Sequence, residues 1–144
     1  MAPFMKNAAL AILLAILPGL ASASALDDAL ACTVSAHVFI GGLEQQQLID
    51  AHPMRVESNS INAFSPLKGA DLTAFGFHVF AVVGFEKDDP IFRTGDGEPL
   101  ANSAYGAVVL GPMERVQAQV DAARSTALVH RVAPFVTAIF CKRS

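Results

Sequence analysis

The longest regular alternation in the chain is Leu72–Glu86, LTAFGFHVFAVVGFE. Phe75, Phe77, Val79, Ala81, Val83 and Phe85 occupy every second position, with Gly76, His78, Phe80, Val82 and Gly84 between them. Successive side chains leave a strand on opposite faces, so this period predicts one long strand. Two largely apolar faces predict that it is central and covered on both sides. Cys32–Ile40 also alternates, Cys32, Val34, Ala36, Val38 and Ile40 against Thr33, Ser35, His37 and Phe39, and reads as a strand with one buried face ended by Gly41-Gly42. The following LEQQQLIDA, residues 43–51, suits a short helix or a returning edge strand equally.

Residues 52–71 form the longest expected connection, with a short strand over Met54–Glu57 and turn chemistry at Ser58-Asn59-Ser60. A second short strand is expected at Ile91-Phe92-Arg93 and a buried one at Tyr105–Leu110. Gly111-Pro112 then starts a helix over about 112–124. Proline is tolerated in a first turn, and Glu114 lies near the positive end of the dipole. Met113, Val116, Val120 and Ala123 recur at three- and four-residue spacing, an amphipathic stripe. Ala127–Val132 and Phe135–Lys142 read as strands around Pro134. The fold class that follows is α+β: one domain with a twisted, mostly antiparallel sheet of about five to seven strands and one main helix packed on it.

The N-terminal pattern is of a different kind. Ala8–Leu17 is an apolar run preceded by the single charge Lys6 and followed by Pro18-Gly19 and small residues. It is too short to span a bilayer and has the form of a secretory leader, residues 1–23, cleaved after Ala23 or, alternatively, after Ala25. Leu30-Ala31-Cys32 does not read as a lipidation site, because Asp27 and Asp28 separate it from the apolar run. The leader predicts export, to the periplasm or alternatively the extracellular space, of a domain spanning residues 24–144. No membrane insertion is expected after cleavage.

Composition then narrows the classes. Of ten Lys and Arg residues one, Lys6, belongs to the leader; the nine left against thirteen Asp and Glu give the mature chain a formal charge of −4. Mild acidity without a basic run argues against nucleic acid and anionic surfaces. The only two cysteines, Cys32 and Cys141, both survive cleavage, and in an oxidising compartment they predict a disulfide tying the two end strands.

Catalytic and ligand signatures are sparse. His37, His52, His78 and His130 are scattered without metal-ligand spacing. There is no G-x-S-x-G and no phosphate-binding glycine motif. No metal or cofactor is expected. The remaining segment of interest is Asp88–Tyr105, DDPIFRTGDGEPLANSAY, a polar connection between two strong strands. Loops carried on a rigid scaffold commonly present binding contacts. The expected contact residues are Asp88, Asp89, Arg93, Asp96, Glu98, Asn102 and Ser103: Arg93 or the Asp96/Glu98 carboxylates as polar anchors, Asn102 or Ser103 reaching into a partner's active site. The function expected is that of a small exported, non-catalytic binding protein, an inhibitor or immunity protein blocking a secreted or cell-wall-active enzyme. The alternatives are a small hydrolase using histidine and carboxylates and an envelope-assembly subunit.

Overall fold

A computed structural model of the chain, which describes residues 24–143, divides the apolar run 72–86 into two strands. Strand β4 is Leu72–Ala74 and β5 is Phe77–Glu86. They pair antiparallel, Thr73 with His78 and Ala74 with Phe77, across the two-residue turn Phe75-Gly76. Both turn residues have positive φ, 49° and 87°, the hairpin geometry that matches strand twist. A phenylalanine at the first of these positions hides the turn from any reading of period alone. It is retained because its ring is buried in the core, 8% exposed.

The second correction concerns Cys32–Ile40, which is not a strand. A single 3-10 turn, Ala29–Ala31, leads through Cys32 to helix α1, Ala36–Gln45. Ser35 caps it, its hydroxyl accepting from the Val38 amide at 3.1 Å. The buried residues of α1 are Ala36, Phe39, Ile40 and Leu43, spaced i, i+3, i+4 and i+7. Gly41-Gly42 therefore lies within a helix, and the sheet carries two helices rather than one. Ile91–Arg93 is likewise no strand but a turn and an irregular stretch.

The remaining elements follow the pattern of the sequence. Strand β1 is Ser24–Ala25, β2 Arg55–Val56, β3 Asn62–Phe64, β6 Ser103–Leu110, β7 Leu128–Ala133 and β8 Val136–Arg143; helix α2 is Met113–Ala122, with Pro112 at its N-cap. The sheet runs β1-β4-β5-β6-β8-β7, with β3 also on β5 and β2 outside β3. Every pairing is antiparallel except β1 with β4. The strand count reaches eight because the central run is a hairpin and β1 and β2 are two-residue additions.

The disulfide between Cys32 and Cys141 is formed, with Cα atoms 5.3 Å apart. It ties β8 to the segment after the 3-10 turn, so Cys32 lies outside any strand. Tyr105 on β6 reinforces the same corner by donating its hydroxyl to the Ala29 carbonyl at 2.7 Å, and its burial pushes the phenol pKa up.

Both helices lie on one face of the sheet. A Cβ on Gly84 would stand 2.8 Å from Ile40 of α1, so only glycine lets α1 lie this close to β5. Arg131 of β7, on that same face, reaches Glu114 of α2 at 3.5 Å. The core lies between, built from Phe64, Val82, Ala107, Val109 and Ile139 of the sheet and Ile40, Val116 and Val120 of the helices. The segment 1–23, which carries the leader expected from the sequence, lies outside the described residues.

Candidate functional site

Strands β5 and β6 pair as far as Glu86 with Ser103, and the Lys87 amide adds one more bond to Asn102. Between them residues 88–101 leave the sheet as a strap. Its first turn closes on Asp89, whose carboxylate accepts from the Ile91 amide at 2.9 Å and whose carbonyl accepts from Phe92 at 3.1 Å. Phe92 then points inward, edge-on to Phe64 and Phe85 with ring centroids 6.3 and 6.2 Å away. This single buried ring pins the strap to the core.

The next contact is polar. Asn62, fully buried on β3, uses its side-chain amide as a surrogate strand for Arg93. Its Oδ1 accepts from the Arg93 amide at 2.9 Å, and its Nδ2 donates to the Arg93 carbonyl at 2.8 Å and to the Ser60 carbonyl at 2.9 Å. Beyond it the strap runs along the turn between β2 and β3. The Gly95 amide donates to Ser60 Oγ at 2.9 Å, Gly97 to the Ser58 carbonyl at 2.9 Å and Leu100 to the Asn59 carbonyl at 3.0 Å. Gly95 abuts the backbone of Glu57 and Ser58 so closely that a Cβ would overlap it. From Arg93 to Gly97 every second amide is thus bonded, with Leu100 following after Pro99, while Thr94, Asp96, Glu98 and Pro99 stand exposed.

The residues expected to make contacts fall into two groups. Asp88, Arg93, Asp96, Glu98 and Asn102 are exposed. Asp89 and Ser103 face the N-terminus of α1. Asp89 Oδ2 lies 2.6 Å from His37 Nδ1, and its side chain is only 12% exposed. Ser103 Oγ accepts from the Ala36 amide at 3.3 Å and donates to Glu86, which in turn accepts from the His37 amide at 3.0 Å. With the Ser35 cap, these groups occupy the first free amides of the helix. Glu44, two helical turns beyond His37 on the same face of α1, has its pKa raised by burial and by the Asp89 charge, with His37 acting in the opposite sense.

Asn62, Ser60 and Asn59 are the residues that reading by period passes over. The signal for Asn62 is present: one amide side chain between Ile61 and Ala63 in an otherwise apolar strand. A fully buried polar group demands partners.

Two concavities flank the strap. One, about 560 Å³, lies over Phe85 and is bounded by Lys87, Asp88, Thr94, Glu98 and Asn102. The other, about 390 Å³ and mainly apolar, lies on the sheet face opposite the helices, with Val83, Val108 and Ala138 as floor and Ile61, Leu100 and Phe140 among its walls. His130 lines this second cavity, whereas His37 pairs with Asp89 on α1 and His78 lies exposed on β5; the three do not share a pocket. Among the described residues, no group of three or more His, Cys, Asp or Glu side chains is arranged to hold a metal ion, and no helix is long and apolar enough to cross a membrane. Comparison with known proteins finds no matching family model, no matching curated protein and no matching solved structure.

Proposed function

We propose that the protein is a small exported, non-catalytic binding protein whose strap, residues 88–101, docks on a protein partner. Within that class we favour an inhibitor or immunity protein that occludes a secreted or cell-wall-active enzyme. The observation that carries this reading is the construction of the strap. Its backbone is held by Asn62, Ser60, Ser58 and Asn59, and its Phe92 is sunk in the core, while Thr94, Asp96, Glu98 and Pro99 project outward. A loop ordered before it meets its target loses little conformational entropy on binding, which is how inhibitory loops reach high affinity from a small contact. The exposed carboxylates of Asp96 and Glu98 suit a basic cleft. Export is supported by the leader pattern and is consistent with the disulfide.

Affinity capture from the native periplasm identifies the partner, and calorimetry with the purified pair tests the assignment. The double variant Asp96→Lys, Glu98→Lys should weaken binding by at least about tenfold, 1.4 kcal/mol, with an unchanged melting temperature. Equal affinities for wild type and variant would remove the strap from the interface.

A further inference from the structure

Both helices lie on one face of the sheet, yet its strands are apolar on both. On the face without helices β5 presents Val83, β6 Val108, and β8 Ala138 and Phe140, all half-buried. The register sets Val108 between Ala81 of β5 and Ala138 of β8, so the apolar positions form one continuous floor. A sheet face turned to water normally alternates to polar residues. The β2–β3 turn and the strap rise over one end of this floor through Asn59, Ile61 and Leu100, and Phe140 and His130 border the other. The Leu100 amide donates to the Asn59 carbonyl at 3.0 Å, and Asn59 Oδ1 accepts from the Ile61 amide at 3.2 Å. The bonds that fasten the strap therefore also build a wall of the cavity.

Volume, length and polarity select the occupant of this cavity of about 390 Å³. An apolar cavity of about 150 Å³ holds a benzene ring, so one aromatic side chain of a partner protein would leave most of it empty. The volume lies in the range of small-molecule sites. From Ile61 beside β3 to His130 on β7 the lining crosses four inter-strand spacings, roughly 19 Å, the span of a chain or of joined rings. No Lys, Arg, Asp or Glu side chain lines it. Tyr105 keeps its hydroxyl on Ala29, which leaves Asn59 and His130 as the polar side chains of the lining. A charged group would be desolvated there without a permanent opposite charge, and a peptide would hold its backbone N–H and C=O groups against apolar walls.

We propose that this cavity binds an uncharged, mainly apolar small molecule, a hydrocarbon chain or joined aromatic rings, with one polar group that hydrogen-bonds to His130 or Asn59. The bound molecule packs against Leu100 and so adds to what holds the strap. A fastened strap in turn favours the ligand, because such coupling is reciprocal. The proposal stands independently of what the outer side of the strap binds.

The test uses the disulfide-bonded protein and an uncharged fluorescent probe, N-phenyl-1-naphthylamine. Its emission should rise on titration with the protein and saturate at one equivalent. Ala138→Phe, which fills the floor from an outward-facing strand position, should weaken the probe by about tenfold or more, with the melting temperature showing that the variant is folded. The anionic relative 8-anilinonaphthalene-1-sulfonate should bind the wild type at least about tenfold more weakly than the neutral probe. In the wild-type protein, saturation with the neutral probe should slow hydrogen exchange at the Leu100 amide, a readout that needs no variant. No saturable rise in emission, equal titrations of wild type and folded Ala138→Phe, or exchange at Leu100 unchanged by the probe would overturn the proposal. So would a wild-type dimer in sedimentation equilibrium that Ala138→Phe dissociates, which would assign this face to a second copy of the chain.

Discussion

Replacing Asn62 by alanine removes three hydrogen bonds at one buried position, to the Ser60 carbonyl and to both backbone groups of Arg93. Each such bond contributes about 1 kcal/mol net, and each backbone group left without a partner away from water costs about 1–3 kcal/mol. Some of that cost is relieved because Arg93 is exposed and water can reach its peptide once the strap lifts. The expected loss is therefore about 3 kcal/mol, or ~100-fold in the folded-to-unfolded ratio, a large share of a domain's 5–15 kcal/mol. Asn62→Asp should be worse at neutral pH. It replaces a donor by an acceptor facing the Ser60 and Arg93 carbonyls, and buries a charge with no cation opposite. Urea denaturation followed by far-UV circular dichroism measures the loss. Limited proteolysis adds its location: cleavage after Arg93 should become fast in Asn62→Ala under conditions where the wild type is intact. A loss below about 1 kcal/mol with Arg93 still protected would refute the reasoning, because the strap would then be held by something other than the Asn62 amide.

Three further outcomes follow from other parts of the structure. Replacing both cysteines by serine opens a link spanning 109 residues of sequence, and the chain-entropy estimate is a loss of about 4–5 kcal/mol in urea unfolding; a loss under about 1 kcal/mol would mean that the reduced unfolded chain is itself restricted. Glu44 has a folded-state pKa raised by burial and by Asp89, so it binds its proton more tightly when folded, and its ionisation destabilises the fold above that pKa. Glu44→Gln should therefore be more stable than wild type at pH 7 and no more stable below the ordinary carboxylate range; equal denaturation midpoints at pH 7 would contradict this. If the leader is cut after Ala23, the mature protein begins at Ser24 and keeps the β1 pairing of Ser24 with Leu72 and Ala25 with Thr73; intact mass of the exported protein decides, and a start at Leu26 would mean that the mature sheet lacks β1.

Strands β6, β7 and β8 and helix α2 were legible because β8 alternates, β6 is a short continuous apolar run and α2 keeps the helical spacing, each bounded by Gly, Pro or polar residues; β7 was legible in extent although a bulge between Arg131 and Ala133 breaks its register. The disulfide was legible from there being two cysteines alone. Helix α1 was obscured by coincidence. Cys32–Ile40 alternates, but Ala36, Phe39, Ile40 and Leu43 also satisfy the helical spacing, and the choice depended on reading Gly41-Gly42 as a stop. Glycine is tolerated in a helix when tertiary packing outweighs its propensity, as it does here against β5 and β6. The β4–β5 turn was hidden because Phe75 occupies a position where asparagine or aspartate would have announced a hairpin. Of the strap, position and exposed acidic residues were readable. Its fastening was not, since the bonds from Asn62 to Arg93 join residues 31 apart through a side chain, and no periodicity records such a contact.

The central claim is that the strap is ordered by the scaffold before any partner arrives, and native-state hydrogen exchange of its amides tests this most directly. Protection should alternate along the strap: slow exchange at Arg93, Gly95, Gly97 and Leu100, whose amides are bonded to Asn62, Ser60, Ser58 and Asn59, and fast exchange at Thr94, Asp96 and Glu98. In Asn62→Ala the slow set should become fast while the β6 and β8 amides stay protected. Uniformly fast exchange from Arg93 to Leu100 in the wild-type protein would contradict the account, because the strap would then be an ordinary mobile loop.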